Sequence, residues 1–295
     1  MRFSLAETMC DPEQYVPLAR TAEESGFHAY TLPDSIAYPE VSDSKYPYTP
    51  DGNREFLEGK PFIDPFCLSS MLGAVTRTLE FHTFVVKLPI RHPVLVAKQV
   101  ASVAALTGNR FRFGVGLSPW PEDYRLSGVP WEKRGQRMDE MIAIIRGLFG
   151  GGFFQFKGEC FDVESMKICP VPTKPVPILI GGHSEAALRR AAKLADGWMH
   201  GGGPPEELAR LVGRVRELLK EYGRENAPFE IHAISIDAYS KDGVRRLEDL
   251  GVTDLIVGFR KAYEPDRMPL EKKLAAIRRF GESIILPAKA TGSAA

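Results

Sequence analysis

Eight short apolar runs alternate with eight amphipathic stretches along this chain, and that order limits the fold more than any single motif does. The apolar runs are 2–7 (RFSLAE), 28–33 (HAYTLP), 79–86 (LEFHTFVV), 110–117 (RFRFGVGL), 176–181 (VPILIG), 196–200 (DGWMH), 229–237 (FEIHAISID) and 253–259 (TDLIVGF). The helical patterns fall at 12–25, 64–76, 93–107, 131–149, 184–195, 204–222, 240–250 and 269–281. The first helix is punctuated fully, with Asp11 as N-cap, Pro12 in its first position and Gly26 as terminator. Interior strands that read as near-continuous apolar runs belong to parallel sheets covered on both faces. Eight such units in strict alternation predict an α/β fold, a closed (β/α)₈ TIM barrel, with an open doubly wound sheet as the other arrangement.

A chain of 295 residues with 44% apolar content is enough for one large core, so residues 1–286 read as a single barrel domain and 287–295 as a flexible tail. Formal net charge is zero, without the basic footprint of a nucleic-acid partner. No run is long enough to span a bilayer or serve as a signal peptide, which predicts a cytoplasmic protein and no membrane partner. Cys10, Cys67, Cys160 and Cys169 lack CxxC spacing and read as free thiols. The six histidines form neither an HxH pair on strand one nor HExxH, so no metal is expected. The absence of GxSxG disfavours a serine hydrolase.

Two segments exceed ordinary loop length. Residues 35–63 follow strand two and lie on the active face of a barrel, as a candidate lid. Residues 150–175 alternate like a hairpin around Lys157-Gly158. They follow helix four and are expected to cover the opposite, stability face.

Four segments could carry chemistry. In ILIGGHSEAALRRAAKLADGW (178–198) a strand ends in Gly181-Gly182 and a helix begins near Ser184. That is either a phosphate site at a helix N-terminus or a plain turn with a serine cap. In TFVVKLPIRHPVLVAKQVASVAAL (83–106), Lys87, Arg91 and His92 cluster where a strand passes into a helix. They either meet an anionic group or form a solvated loop and cap. Gly116 ends strand four, and its missing side chain would let a flat ring approach. Trp120, Glu122, Asp123 and Tyr124 follow on the active face, Trp120 stacking on a ligand or closing the loop. GxGLSP is not a dinucleotide fingerprint. Asp34 and Ser35 stand just beyond strand two, where catalytic side chains belong, or serve as a turn cap.

Taken in order, AEESGF (22–27), LPD (32–34), TLEFHTFVVKLPIRHPVLVAKQVASV, LTGNRFRFGVG, RGQRMDE (134–140), PVPILIGGHSEAALRRAAKLADGW and LGVTDLIVGF resemble the luciferase-like monooxygenase superfamily. The likeness runs from the first strand to the last. It is nearest to the branch that uses the deazaflavin coenzyme F420. The resemblance implies a non-proline cis peptide at Phe84-Val85, with Thr83 beside it, under the central ring of the cofactor. It implies a phosphate clasp on Gly181, Gly182, His183 and Ser184, Asp34 close to the ring or its side chain, and Gly116 at the ring edge. It also implies a homodimer, and the small apolar helices near 64–76 and 93–107 agree with that. Two departures matter. Ser35 stands where relatives keep a histidine, and Pro119 where sugar-phosphate dehydrogenases of the family keep a glutamate.

The resulting expectation is an oxidoreductase passing a hydride between a deazaflavin and a small organic substrate beneath the 35–63 loop. Asp34, Ser35, Trp120 and Glu122 are its candidate catalytic residues. Tyr38, Glu122, Asp123 and Tyr124 are candidate proton donors. The alternatives are an FMN-dependent monooxygenase and a non-catalytic flavin-binding barrel.

Overall fold

Parallel pairing runs unbroken around eight strands in the computed structural model, which describes residues 1–42, 44–46, 49 and 51–288. The barrel strands are β1 (Arg2–Leu5), β2 (Ala29–Leu32), β3 (Glu80–Thr83, resuming at Val86–Lys87), β4 (Phe111–Gly116), β5 (Ile178–Gly181), β6 (Gly197–His200), β7 (Glu230–Ala233) and β8 (Asp254–Val257). Closure comes from β8 against β1, with Arg2 opposite Asp254 and Leu5 opposite Val257. The open-sheet alternative is thereby excluded.

The helices are α1 (Tyr15–Glu24), α2 (Pro65–Val75), α3 (Pro93–Leu106), α4 (Pro121–Leu126), α5 (Arg134–Phe149), α6 (Glu185–Leu194), α7 (Pro205–Glu221), α8 (Lys241–Asp249) and α9 (Leu270–Phe280). Only α4 was not foreseen as a helix. Local chemistry sets their starts. Asp64 accepts hydrogen bonds from the amides of Phe66 and Cys67, with Pro65 in the first turn. The odd-numbered residues of β1 (Phe3, Leu5) and β4 (Phe111, Phe113) are buried in the large core between barrel and helices. Each such side chain contributes roughly 1.5–3 kcal/mol on burial. The chain stays helical through Ala288, and the rest of the expected tail, 289–295, lies outside the described residues. Among the described residues no helix is long and apolar enough to cross a membrane.

The hairpin forms as expected, with Phe154–Lys157 antiparallel to Asp162–Met166, but not where expected. Helix α5 descends from the active face, and the hairpin climbs back along it. Near the lower end of α5, Phe154 packs so closely on Gly147 that a Cβ there would lie 2.1 Å from its ring. Higher up, the Glu140 carboxylate accepts the amides of Glu159, Cys160 and Phe161 at 2.9–3.1 Å. Lys133, just before α5, pairs with Glu159 at the hairpin tip. The insertion is therefore a buttress on the flank of the barrel, and its polar turn is what draws it upward.

The lower barrel interior departs from the branched-apolar filling common in this architecture. Residues paired across a parallel ladder share a face, so Ser4 of β1, His82 of β3, His232 of β7 and Asp254 of β8 point inward together. All four are fully buried. Below them Arg2 pairs with Glu230, and Arg112 pairs with both Glu80 and Glu230. Burial pushes both histidines below their ordinary value, so the rings are neutral. Burial opposes ionisation of Glu230, but His232, Arg112 and Arg2 hold its carboxyl well below the usual range. Removing charges from water is costly, and only this dense pairing makes the plug tolerable.

Candidate functional site

At the opposite end, side chains give way to backbone. The peptide between Phe84 and Val85 is cis, and it interrupts β3 where the resemblance placed it. Thr83 Oγ1 donates to the Gly114 carbonyl at 2.7 Å, fixing the interruption to β4. Gly114 is obligatory there, since a Cβ would lie 1.9 Å from the Thr83 carbonyl oxygen. Val85 then lies against two more glycines. A Cβ on Gly116 would come within 2.7 Å of Val85 Cγ2, and one on Gly181 within 3.0 Å of Val85 Cγ1. Leu179, Met199 and Ile256 form a small buried cluster with Phe84 and Val85 packed on it. The product is an apolar floor beside a wall of bare backbone, suited to a flat ring.

The rim beyond β5 and β6 is polar and again glycine-rich. Ser184 accepts the Ala187 amide at 3.3 Å, so its hydroxyl caps α6. Trp198 Nε1 donates to the Gly182 carbonyl at 2.8 Å and fixes the turn. His183 stacks on His200 with ring centroids 4.5 Å apart and planes 5° from parallel. Gly201 donates its amide to His183 Nε2 at 3.0 Å. His200 Nε2 is buried without a hydrogen-bond partner among the described residues. Burial, with His183 adding to it, pushes His200 down to about 4. Gly202 and Gly203 adopt φ of 99° and 141°, which L side chains rarely adopt, and a Cβ on Gly203 would lie 3.8 Å from His200 Nε2. Two glycine turns and the starts of α6 and α7 thus converge around a pair of neutral imidazoles, an arrangement that can clasp an anion. His200 and Gly201–Gly203 were not singled out from sequence. The GGGPP run ahead of a helix was the available signal.

The charged candidates pair with one another. Asp34 accepts the Lys87 amide at 2.9 Å and Arg91 at 2.9 and 3.0 Å, tying the end of β2 to the end of β3. Lys87 Nζ meets Asp123 Oδ2 at 2.7 Å, both buried. The anions that Lys87 and Arg91 meet are therefore in the chain itself. His92 is exposed at the start of α3 and makes no side-chain cap. Ser35 is half-buried and Pro119 exposed.

Trp120 closes the loop, stacking on Tyr46 of the 35–63 segment at 5.7 Å and 14°. Arg54 lies over Tyr38 and Trp120, and Tyr263 packs edge-on against Phe56. Glu122 accepts from Ser44 Oγ at 3.0 and 3.2 Å. Burial opposes its ionisation, but Ser42, Ser44 and Arg54 hold its carboxyl below the ordinary value. A carboxylate so held is a poor proton donor at neutral pH and a good latch for the lid. Tyr124 packs edge-on against Trp131 and is pushed up to about 12 by burial.

Three comparisons bear on this arrangement. The family described as luciferase-like monooxygenase matches residues 4–277. The uncharacterized protein Rv0940c of Mycobacterium tuberculosis is 60% identical over 287 residues, which cover 97% of this chain and 99% of that one. Pyrimidine monooxygenase RutA of Escherichia coli is 26% identical over 63% of this chain and 53% of its own. Among solved structures, monooxygenase RslO1 from Streptomyces bottropensis superposes with a TM-score of 0.77 at 17% identity, covering 98% of this chain and all of that one. The coenzyme F420-dependent tetrahydromethanopterin reductase of Methanopyrus kandleri gives 0.73 at 16% identity, covering 96% and 98%.

Proposed function

The chain belongs to the luciferase-like monooxygenase family, and from that premise we propose that it is an oxidoreductase that binds a deazaflavin and passes a hydride between it and a small organic substrate. The observation that carries the reading is the cradle at β3–β5, where Val85 leaves no room for a Cβ on Gly116 and lies tightly against Gly181. A buried, unpartnered His200 Nε2 at the rim supports it, because a polar atom so placed suits a ligand that brings its own hydrogen bonds. F420-dependent enzymes stand beside monooxygenases among the fold relatives that match almost the whole of this chain, so the fold accommodates the deazaflavin version.

When bound, a deazaflavin supplies a two-electron hydride donor or acceptor in its central ring. The chain supplies position. Thr83, Phe84 and Val85 would buttress the ring, with Gly116 at its edge. Gly181, Gly182, His183 and Ser184, joined by Gly201–Gly203, would offer backbone N–H groups to a phosphate. Asp34 holds the β3 end in register through Lys87 and Arg91. Trp120 and Glu122 fasten the lid, excluding water from the reacting atoms. Ser35 carries the hydroxyl nearest in sequence to Asp34 and is the position assigned to substrate.

Fluorescence titration with F420 and with FMN tests the reading. Expected is saturable F420 binding near micromolar Kd, weakened at least ~10-fold in Gly116→Val. Tight FMN binding with no F420 binding would replace it with the FMN-dependent monooxygenase. The same reading includes a homodimer through α2 and α3. Leu95 and Leu106 lie three turns apart on one face of α3, both exposed, and Met71 of α2 is exposed as well. Light scattering that returns a monomer at micromolar concentration would remove that part.

A further inference from the structure

The lower barrel interior holds a second arrangement that ion pairing alone does not explain. β3 and β7 each carry Glu-x-His, as Glu80-Phe81-His82 and Glu230-Ile231-His232, and the two histidine rings meet with centroids 5.1 Å apart. His232 Nε2 sits 2.7 Å from Glu230 Oε2, and His82 Nε2 sits 3.4 Å from Glu80 Oε2. A carboxylate at Nε2 keeps the proton of a neutral ring there and leaves Nδ1 with a bare lone pair. His232 Nδ1 lies 3.9 Å from Asp254 Oδ1, and His82 Nδ1 lies 3.5 Å from Ser4 Oγ. Ser4 has one proton, and it goes to Asp254 Oδ1 at 2.7 Å. His82 Nδ1 therefore receives no donor from Ser4. His232 Nδ1 and Asp254 Oδ2 have no hydrogen-bond partner among the described residues, and the only cation near Asp254 Oδ2 among them is Arg2, whose Nε lies 3.6 Å away. One ligand atom from each of His82, His232 and Asp254 lies within 4.8 Å of the others, at full burial.

Acceptors facing acceptors in a dry interior call for a cation between them. The charge count agrees: in this cluster Glu80, Glu230 and Asp254 bring three negative charges, and Arg2 and Arg112 bring two positive ones. We propose that His82, His232 and Asp254 form a closed structural site for a zinc-class divalent ion, with Glu80 and Glu230 as the outer carboxylates that orient the two rings. Two imidazole nitrogens and one carboxylate suit zinc and its first-row neighbours rather than magnesium or calcium. A carboxylate behind each ligating histidine is the usual support for such ions. Full burial leaves no open coordination position for substrate, so the ion would hold strands and do no chemistry. The fourth ligand would be Ser4 Oγ or a water. Local spacing hid the site, because its ligands stand far apart in the chain.

The test uses the full chain without a metal-binding tag, produced in zinc-supplemented medium and dialysed against EDTA. Mass spectrometric metal analysis should find about one zinc per chain. His232→Gln and Asp254→Asn should each retain less than about a tenth of that, and Glu230→Gln should weaken retention about 10- to 100-fold in chelator competition. Circular dichroism reports whether each variant folds. Since buried variants can fail to fold, the unsubstituted chain is also refolded with cobalt(II), where visible ligand-field bands are expected. Less than about a tenth of an equivalent of metal in the unsubstituted chain, with no cobalt bands, overturns the proposal. So does metal that persists in folded His232→Gln, or that is lost instead from folded His200→Gln at the mouth.

Discussion

The two ends of this barrel solve opposite problems with the same strands. At the lower end β1, β3, β4, β7 and β8 fill the interior with ionised and hydrogen-bonding side chains. At the upper end β4, β5 and β6 continue as Gly116, Gly181 and Gly201, and the wall is backbone. One end is sealed by what its residues carry, and the other is opened by what they lack. Stability should therefore concentrate at the bottom and ligand affinity at the top.

The largest effect that could break this division is Arg112→Met. It leaves Glu80 and Glu230 short of a partner, and removal of one member of a buried ionic cluster costs about 3–5 kcal/mol. Chemical denaturation should show that loss, while cofactor affinity of the folded fraction stays within about threefold, as expected for distant sites. A matching collapse in affinity would mean that the ends are coupled. Next comes Gly114→Ala, on the boundary. Its Cβ would collide with the Thr83 carbonyl, so about 3 kcal/mol of stability should go, and ring binding with it. An unchanged midpoint in urea would show that the wall yields more easily than its spacing suggests.

The smallest effect is acid sensitivity. His200 titrates at about 4 in the fold against an ordinary 6.5. Between those values the unfolded chain binds a proton that the folded chain refuses. Stability from this ring is complete above pH 6.5 and declines as pH falls toward 4, by at most roughly 3 kcal/mol. Burial also sends His28, beside the lower plug, to about 4, but its side chain is 38% exposed and its share is smaller. Thermal melts from pH 7 to 4 should flatten more in His200→Gln than in His28→Gln. Superimposable profiles for His200→Gln and the parent would refute the argument.

The barrel was legible because its signal is periodic and local. Runs such as VPILIG and TDLIVGF announce buried parallel strands, and Pro and Gly mark where helices begin and end. The cis peptide at Phe84-Val85 was reached through the family resemblance, and no composition or spacing rule points to it. What escaped depends on contacts that sequence order does not encode. Ser4 and Asp254 are 250 residues apart and 2.7 Å from each other. The Glu-x-His repeats were visible as text, but only the closed barrel turns them toward one another. The hairpin was found and misplaced, because the Glu140 carboxylate that captures its turn looks like any helix-surface acid. Trp120 shows the reverse case. Sequence left two roles open, and its stacking on Tyr46 shows the part it plays in closing the loop.

Phe81 pairs with Phe111, a difference of 30 positions, yet Val86 pairs with Val115, a difference of 29. β3 therefore takes one more step than β4 over the same rise. In a pattern of period two, a single extra step is a half-cycle slip. Below it the even residues, Glu80 and His82, look into the barrel. Above it the odd residue Lys87 does, opposite Gly116, and it reaches Asp123. The strand thus reads in two phases, one set for the plug and one for the mouth. Straightening the strand with every residue kept would send Val86 inward and Lys87 into the apolar layer behind the barrel, whereas deleting one residue at 84 or 85 would remove the extra step and leave both facing as they do.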